Sequence, residues 1–306
     1  MEISAELVQR LIADQFPEWS WLPIAPVPQQ GNDNRTFRLG QELSVRMPSH
    51  RAYVAGIEKE NVVLPLLTSH VRVGLPSPVA TGEPSDEYPF PWSVRRWLTG
   101  SHPENDPDLD RTRLAEDLGR FLVDLREIPA DRGPMAGEHS FFRGCHPSVY
   151  GDQVQAGLRT LGPDTDEAMC LAIWSDAVRT VWRPAPVWLH GDLAPDNLLT
   201  LDGRLSAVID FGTCAVGDPV CDLVIAWTFF DPRERAIFRN AVGLPEDAWA
   251  RARGWALWKA LITLADPNSP GAQLAIQKRA LSALLDEAAS VTSIATGRPR
   301  PRSQAQ

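Results

Sequence analysis

Residues 190–197 read HGDLAPDN, and residues 208–212 read VIDFG. These two blocks contain Asp192, Asn197 and Asp210, which are two carboxylates and one amide. One carboxylate can act as a base, while the amide and the second carboxylate can supply the hard oxygen ligands that Mg²⁺ prefers. The pattern therefore predicts a site that holds a metal ion and a phosphate group.

A β-hairpin is predicted between the two blocks. Two apolar runs flank Asp202-Gly203, a dipeptide that favours a two-residue hairpin turn. Counting back from this turn places Asn197 opposite Val208, so that Asp210 lies two residues beyond that pair. We therefore expect Asn197 and Asp210 to converge at the open end of the hairpin.

The first block matches the catalytic loop of kinases, with Gly191 in place of arginine, and the second is similar to their metal-binding Asp-Phe-Gly. Gly217-Asp218-Pro219 and then Asp222-Leu223 follow. In this order the elements resemble the signature of the aminoglycoside phosphotransferase family of small-molecule kinases, including its macrolide-kinase-like branch. The resemblance implies an α+β, two-lobed, protein-kinase-like fold with a small β-rich N-lobe and a larger, mainly helical C-lobe.

The resemblance also assigns roles to the polar residues. Asp192 would orient the acceptor hydroxyl, while Asn197 and Asp210 would hold Mg²⁺ together with phosphate oxygens and water. His190 would brace the loop by hydrogen bonds, and Asp218 would lie behind the metal ligands or at a helix start. The alternative for Asp192 is a helix or turn cap, and Asn197, taken alone, is more often a turn residue; the spacing favours the metal ligand.

The N-terminal third reads as β-rich. Residues 35–39 and 43–47 are alternating segments that predict a hairpin. In a kinase-like lobe the loop before them covers the phosphates, so the resemblance places Gly31 and Asn34 at the nucleotide; an ordinary polar turn is the alternative. Arg46 stands where kinases use a lysine to reach the α- and β-phosphates, unless it is simply a solvent-facing arginine.

A helix is predicted to start at Ile57, as the equivalent of the kinase C-helix. Glu60, rather than Glu58, is expected to pair with Arg46, although glutamates on a helix often form only a solvated face. Pro65 is expected to end or kink this helix.

A strand is predicted over 92–98, and the resemblance places the hinge between the lobes at the end of this strand. There the backbone of Arg96 and Leu98 would contact the purine edge of ATP or GTP. The predicted division is an N-lobe over 1–98, a C-lobe over 99–296 and a disordered tail over 297–306.

The acceptor pocket is expected among the helices of the C-lobe. Its candidate wall consists of Asp222, Trp227, Asp231, Trp255 and Trp258, and core packing is the alternative for each tryptophan. Pro219 suits the first turn of a helix that would run through Trp227.

Four readings of the function stay open. An aminoglycoside acceptor is implied by the resemblance and agrees with a net charge of −9. A macrolide would suit a tryptophan-rich pocket, and a metabolic alcohol such as homoserine or choline is also compatible with the fold. A nucleotide-binding pseudokinase regulator is the alternative of another class.

Composition restricts the setting. The acidic balance of the 306 residues argues against a nucleic-acid partner. The sequence contains no run of 18 apolar residues, so no membrane span is predicted. The first 16 residues lack the pattern of a signal peptide, and the four cysteines lack metal-site spacing. We therefore expect a cytoplasmic monomer or dimer whose partners are a nucleotide and a small-molecule acceptor.

Overall fold

The computed structural model of the protein describes residues 2–28, 30–31 and 33–296, so the predicted tail lies outside the described residues. The elements of its N-terminal part are α1 (Ala5–Gln15), β1 (Ile24–Pro26), β2 (Asn34–Leu39), β3 (Leu43–Pro48), α2 (Val54–Thr68), β4 (Pro78–Gly82) and β5 (Trp92–Arg96). The five strands form an antiparallel sheet in the order β1-β2-β3-β5-β4.

The C-terminal part is mainly helical. Its elements are α3 (Arg111–Glu127), α4 (Gly151–Leu161), α5 (Glu167–Val178), β6 (Val187–Leu189), β7 (Leu198–Leu201), β8 (Arg204–Val208), β9 (Ala215–Gly217), α6 (Ile225–Thr228), α7 (Pro232–Val242), α8 (Glu246–Ala265) and α9 (Gly271–Thr296). Two short sheets, β6-β9 and β7-β8, lie among these helices. The architecture confirms the predicted two-lobed, kinase-like α+β fold.

Each part has its own apolar core. The smaller core joins one face of α1 to the sheet, and its members include Leu11, Phe37 and Trp92. The larger core is formed by the C-terminal helices and the strands β6 to β9. The catalytic-loop block and the metal-binding block of the sequence connect elements of this larger core, which gives them a rigid support.

Helix α2 continues through Leu66 and Leu67 and ends at Thr68, soon after Pro65 as expected. Leu64 and Leu67, on either side of the proline, are fully buried in the larger core. Their packing outweighs the hydrogen bond that a proline removes from a helix. As a result, the last turns of α2 contact the C-terminal part of the molecule.

The predicted hairpin is present, but its register differs from the prediction. Asp202 and Gly203 form the turn with φ values of 52° and 74°. A bulge between Leu199 and Thr200 shifts the pairing, so Val208 lies opposite Leu198 and not opposite Asn197. One residue of β8, Ser206, is left without a strand partner, and its Oγ donates to the Leu199 carbonyl at 3.1 Å. Asn197 therefore pairs with Ile209, whose N–H donates to the Asn197 carbonyl at 2.9 Å.

The sequence from Asp218 onward begins less regularly than predicted. A 3-10 helix covers Pro219–Val224, and the α-helix starts only at Ile225. None of the helices in the described part of the chain is long and apolar enough to cross a bilayer.

Candidate functional site

The HGD loop is held from behind by a buried carboxylate. Asp222 is fully buried, and its two oxygens accept from the backbone N–H groups of His190 and Gly191, each at 2.7 Å. Burial raises the pKa of Asp222, while the two backbone N–H groups that donate to it act in the opposite direction. Asp222 therefore positions the loop and does not line the acceptor pocket, which corrects the sequence prediction.

Gly191 is required by the backbone of the loop. Its φ is +89°, a conformation that side chains rarely adopt, and a Cβ there would lie 2.7 Å from the Thr213 carbonyl oxygen. The arginine found at this place in protein kinases could not fit here. The loop can consequently pack directly against the segment that follows the metal-binding block.

His190 connects the two blocks. Its Nε2 lies 2.9 Å from the Ile209 carbonyl, and its Nδ1 accepts from the Asp192 N–H at 3.2 Å. These partners require the neutral tautomer with the proton on Nε2. The ring also packs edge-on against Phe211, with centroids 4.6 Å apart. The imidazole is therefore committed to structural contacts on both sides.

Asn197 connects Asp192 to Ile209, the residue before Asp210, through contacts with their backbones. The Asn197 side-chain N–H donates to the Asp192 carbonyl at 2.9 Å, which leaves the Asn197 amide oxygen without a contact in the part of the chain described. Asp192 itself is half-exposed, and its Oδ1 lies 3.4 Å from the Lys259 ammonium. Neither the sequence pattern nor the resemblance had pointed to Lys259, which comes from α8.

Asp210 follows β8 with a φ of +66°. Its Oδ1 accepts from Arg46 Nη2 at 2.8 Å. Burial by itself raises the pKa of Asp210, but the Arg46 guanidinium more than offsets this rise. The pKa of Asp210 is therefore below its ordinary value, and the carboxylate is favoured over the acid. The amide oxygen of Asn34, in the orientation that satisfies both groups, accepts from Arg46 Nη2 at 3.1 Å and Nε at 3.2 Å.

The predicted pair of Arg46 and Glu60 is present at longer range. The Glu60 carboxylate lies 3.8 Å from Arg46 Nε, but only 3.1 Å from Arg95 Nη2. Its other oxygen accepts from the Phe211 N–H at 2.8 Å. Glu60 thus holds α2, β5 and the metal-binding block together. Arg95 is 1% exposed and was missed in the sequence, since it looks like any alternating strand residue next to Arg96.

The other predicted nucleotide residues lie in the loop before β2, at the start of β2 and at the end of β5. Gly31 is exposed in the loop before β2, and Asn34 begins that strand. Arg96 is exposed at the end of β5, and its N–H lies 3.4 Å from the Ser77 carbonyl. Within the described residues, Leu98 makes no backbone hydrogen bond through its N–H. The N–H of Leu98 is therefore free to donate to a ligand.

A Mg²⁺ ion fits the oxygen atoms that remain available here. Asn197 has its amide oxygen free, and Asp210 is ionised with only one oxygen bound to Arg46. Two protein ligands suffice because Mg²⁺ usually keeps waters and phosphate oxygens. Residues 2–28, 30–31 and 33–296 contain no cluster of three or more His, Cys, Asp or Glu that could hold a metal without such help.

A cavity of about 380 Å³ opens beside Asp192. Trp255 and Trp258 line it, as predicted from the sequence. Trp227 does not line it: this indole is buried, and its Nε1 donates to Glu287 at 3.0 Å. Asp231 does not line it either, because its carboxylate caps α7 by accepting from the Glu234 N–H at 2.8 Å.

Asp218 lies behind the cavity. One oxygen accepts from Arg251 Nε at 2.7 Å, and the other accepts from the Val220 N–H at 3.3 Å. Burial raises the pKa of Asp218, and the Arg251 guanidinium offsets part of this rise. The pair ties α8 to the start of the 3-10 helix.

The sequence profile of the phosphotransferase enzyme family matches residues 24–255. A homoserine kinase of Granulibacter bethesdensis is 32% identical over 143 residues, 43% of this chain and 42% of that protein. An aminoglycoside 3'-phosphotransferase of Escherichia coli is 34% identical over 68 residues. The chain thus spans only 25% and 42% of the lengths of these two relatives.

Two solved structures share the fold over nearly the whole chain. The GDP complex of wild-type aminoglycoside 2'-phosphotransferase-IIIa has a TM-score of 0.68 at 20% identity and is covered completely, with 95% of this chain aligned. Macrolide 2'-phosphotransferase from Brachybacterium faecium has a TM-score of 0.60 at 21% identity, covering 97% of this chain and 100% of that one.

Proposed function

Because this chain belongs to the phosphotransferase enzyme family, we propose that it transfers the γ-phosphoryl group of ATP or GTP to a hydroxyl group of a small molecule. The observation that carries the proposal is the convergence of Asp192, Asn197 and Asp210 beside a cavity that Asp192 itself lines. A base next to an acceptor cavity and oxygen ligands next to a fixed arginine are the parts that phosphoryl transfer needs.

Asp192 is the residue that would act on the acceptor. Its half-exposed carboxylate can accept a hydrogen bond from an acceptor hydroxyl in the cavity and aim that oxygen at the phosphorus. Its backbone is fixed by the His190 ring and the Asn197 side chain. The base therefore does not have to be ordered when the acceptor binds.

On the nucleotide side, Arg46 would contact the phosphates. It is held by Asp210 and by Glu60, so its position is set before the nucleotide binds. Asn197 and Asp210 would hold Mg²⁺, which neutralises phosphate charge and withdraws electron density from the transferring group when bound. We place the nucleotide beside Arg46, where it would contact the residues predicted from the sequence, namely Gly31, Asn34, Arg96 and Leu98.

The aminoglycoside acceptor predicted from the sequence is supported by the structural similarity to an aminoglycoside phosphotransferase, and a macrolide acceptor by the similarity to a macrolide phosphotransferase. The match to a homoserine kinase supports the metabolic-alcohol alternative. With these functions we propose a cytoplasmic enzyme, with its nucleotide-binding lobe over 1–98 and its acceptor-binding lobe over 99–296. Antibiotic resistance would follow from either antibiotic acceptor.

The test is turnover with Mg²⁺ and ATP or GTP against aminoglycosides, macrolides and small hydroxy compounds, followed by nucleoside diphosphate release and mass spectrometry. We expect one acceptor class to gain a phosphate, and Asp192→Ala to abolish turnover while nucleotide binding stays largely intact. The matched control is Asp131→Ala, since Asp131 is an exposed carboxylate outside the cavity lining. Turnover retained in Asp192→Ala would contradict the mechanism, and nucleotide binding without any turnover would favour the pseudokinase.

A further inference from the structure

We propose that the acceptor of this enzyme carries a carboxylate group, and that Arg143 binds that carboxylate in the cavity beside Asp192. The inference rests on the proposed function and narrows the class of acceptor. It is drawn from the charged and polar side chains that line the cavity and that the fold itself leaves without partners.

Arg143 is a half-buried cation with no anion beside it. It lines the cavity, and its guanidinium lies over the rings of Phe141 and Trp258, at 5.5 and 5.9 Å from their centroids. Among the described residues, no carboxylate lies within the 4.0 Å of an ion pair. A guanidinium has five N–H donors in a planar fork that matches a carboxylate, so a ligand carboxylate would satisfy it.

The segment that carries Arg143 is shaped at some cost. The two residues before it, Phe141 and Phe142, have φ values of 47° and 57°, which aromatic side chains seldom adopt. Tyr150 holds the segment by donating to the Phe141 carbonyl at 2.7 Å, and the Tyr150 ring stacks on Trp258 at 4.0 Å. Strained backbone held by its surroundings is typical of functional positions, and here it places Arg143 at the cavity.

Two buried polar groups of the cavity wall also lack partners in the described structure. Gln277 is 5% exposed and its Oε1 accepts no hydrogen bond, while Trp255 is 2% exposed and its Nε1 donates none. Buried polar groups are nearly always paired, and these two atoms are enclosed by neighbouring side chains, so a ligand would reach them only after those side chains move.

The positive charge of Lys259 offsets the repulsion between an acceptor carboxylate and the Asp192 carboxylate. Its ammonium lies 3.4 Å from Asp192 Oδ1 and lines the same cavity. The remaining carboxylates of the lining, Glu104 and Asp196, are exposed, so water screens them more than it screens Arg143. A polycationic acceptor would instead bring its ammonium groups next to Arg143 and Lys259.

The size of the cavity agrees with a small acceptor. About 380 Å³ lies near the lower end of the range of ligand pockets, which is about 300–1,000 Å³. A hydroxy acid or hydroxy amino acid would fit within such a volume, and we place its carboxylate at Arg143 and its hydroxyl at Asp192.

The experiment compares matched acceptors that differ only in charge. Homoserine and linear hydroxy acids of three to six carbons are assayed beside their carboxamides, with kanamycin and erythromycin in the same plate. Wild-type protein is compared with Arg143→Gln, with Arg143→Lys as conservative rescue, and with Arg132→Gln as a control at an exposed arginine. We expect the wild-type protein to phosphorylate the hydroxy acids faster than the matching carboxamides. We also expect a KM about ten- to hundredfold higher in Arg143→Gln with little change in kcat, and partial recovery in Arg143→Lys.

Each alternative outcome is decisive. Equal KM values for carboxylate and carboxamide acceptors, or an Arg143→Gln enzyme with unchanged KM, overturn the inference and leave the phosphotransferase function in place. Turnover of kanamycin or erythromycin in the absence of any hydroxy acid turnover does the same. A protein that binds nucleotide but phosphorylates none of these compounds overturns both the inference and the proposed function. Thermal unfolding of each variant verifies that Arg143→Gln is folded.

Discussion

The guanidinium of Arg46 on β3 and the carboxylate of Asp210 after β8 are 2.8 Å apart, although 164 positions separate them in the sequence. The same guanidinium lies 3.8 Å from Glu60 on α2 and within hydrogen-bond distance of the Asn34 amide oxygen. Burial lowers the pKa of Arg46, but Glu60 and Asp210 raise it by more, so the side chain stays charged. One arginine therefore joins the sheet, the helix and the metal-binding block.

Replacement of Arg46 by lysine tests whether the charge or the fork matters. A lysine keeps the charge but cannot reach Asp210, Glu60 and Asn34 from one planar group, so we expect nucleotide affinity to fall about tenfold or more. Arg46→Ala should lose more, because it also leaves Asp210 without its cation. Calorimetric titration with ATP and GTP measures both effects. Arg10→Lys is the control, since Arg10 forms only an exposed ion pair with Glu87. Wild-type affinity in Arg46→Ala would show that this arginine does not contact the nucleotide.

Asp222 and Asp231, both assigned to the acceptor pocket by the sequence, should respond differently to substitution. Asp222→Asn replaces one of two buried acceptors by a donor that faces a backbone N–H, so we expect a loss of about 2–4 kcal/mol in unfolding free energy and a large loss of kcat. Asp231→Ala removes only a helix cap and should cost about 1 kcal/mol without changing kcat. Urea unfolding and steady-state kinetics give the comparison. A kcat effect in Asp231→Ala would return that residue to the acceptor site.

The local elements could largely be predicted from the sequence. The Asp202-Gly203 turn and the N-terminal hairpin follow from turn chemistry and alternation, and both are present. The register of the β7-β8 hairpin could not be predicted, because a bulge at Ser206 depends on where its hydroxyl finds a carbonyl. The continuation of α2 past Pro65 depends on packing against helices far away in the sequence.

The site was predictable where one short block supplies the residues, as at Asp192 and Asn197. Arg95 was not, since its role arises from a contact with Glu60 that only the folded chain creates. Arg143 and Lys259 come from a turn and a helix that carry no motif, and the cavity brings them together. Residues that act by position rather than by pattern leave no mark on a single sequence.

Gly191→Ala separates backbone strain from steric conflict. Gly191 has a φ of +89° and a Cβ would meet the Thr213 carbonyl at 2.7 Å, so both penalties apply. Gly243, with a φ of +67°, a ψ of 21° and no atom within 4 Å of a Cβ, carries the left-handed backbone penalty alone. We expect Gly243→Ala to cost about 1–2 kcal/mol and to keep full activity. Gly191→Ala should cost more and should displace Asp192, which a kcat measurement detects. Equal stability and activity in the two variants would contradict this account of the loop.

Cys170 should make the protein less stable in alkali. The thiol is fully buried in α5, and burial raises its pKa from 9.0 to about 11, with a smaller contribution from Asp166. Between these values the unfolded chain loses the proton while the folded chain keeps it, so stability falls as the pH rises above about 9, by up to about 3 kcal/mol near pH 11. Cys170→Ala removes this contribution to the pH dependence of stability. At neutral pH the substitution should lower the free energy of unfolding by about 1 kcal/mol, because the buried sulfur is lost. The measurement is urea unfolding at pH 7.5 and 10.5, with Cys145→Ala as the control because Cys145 is only partly buried. If the free energy of unfolding of Cys170→Ala falls between the two pH values by as much as that of the wild-type protein, this thiol does not stay protonated in the folded protein.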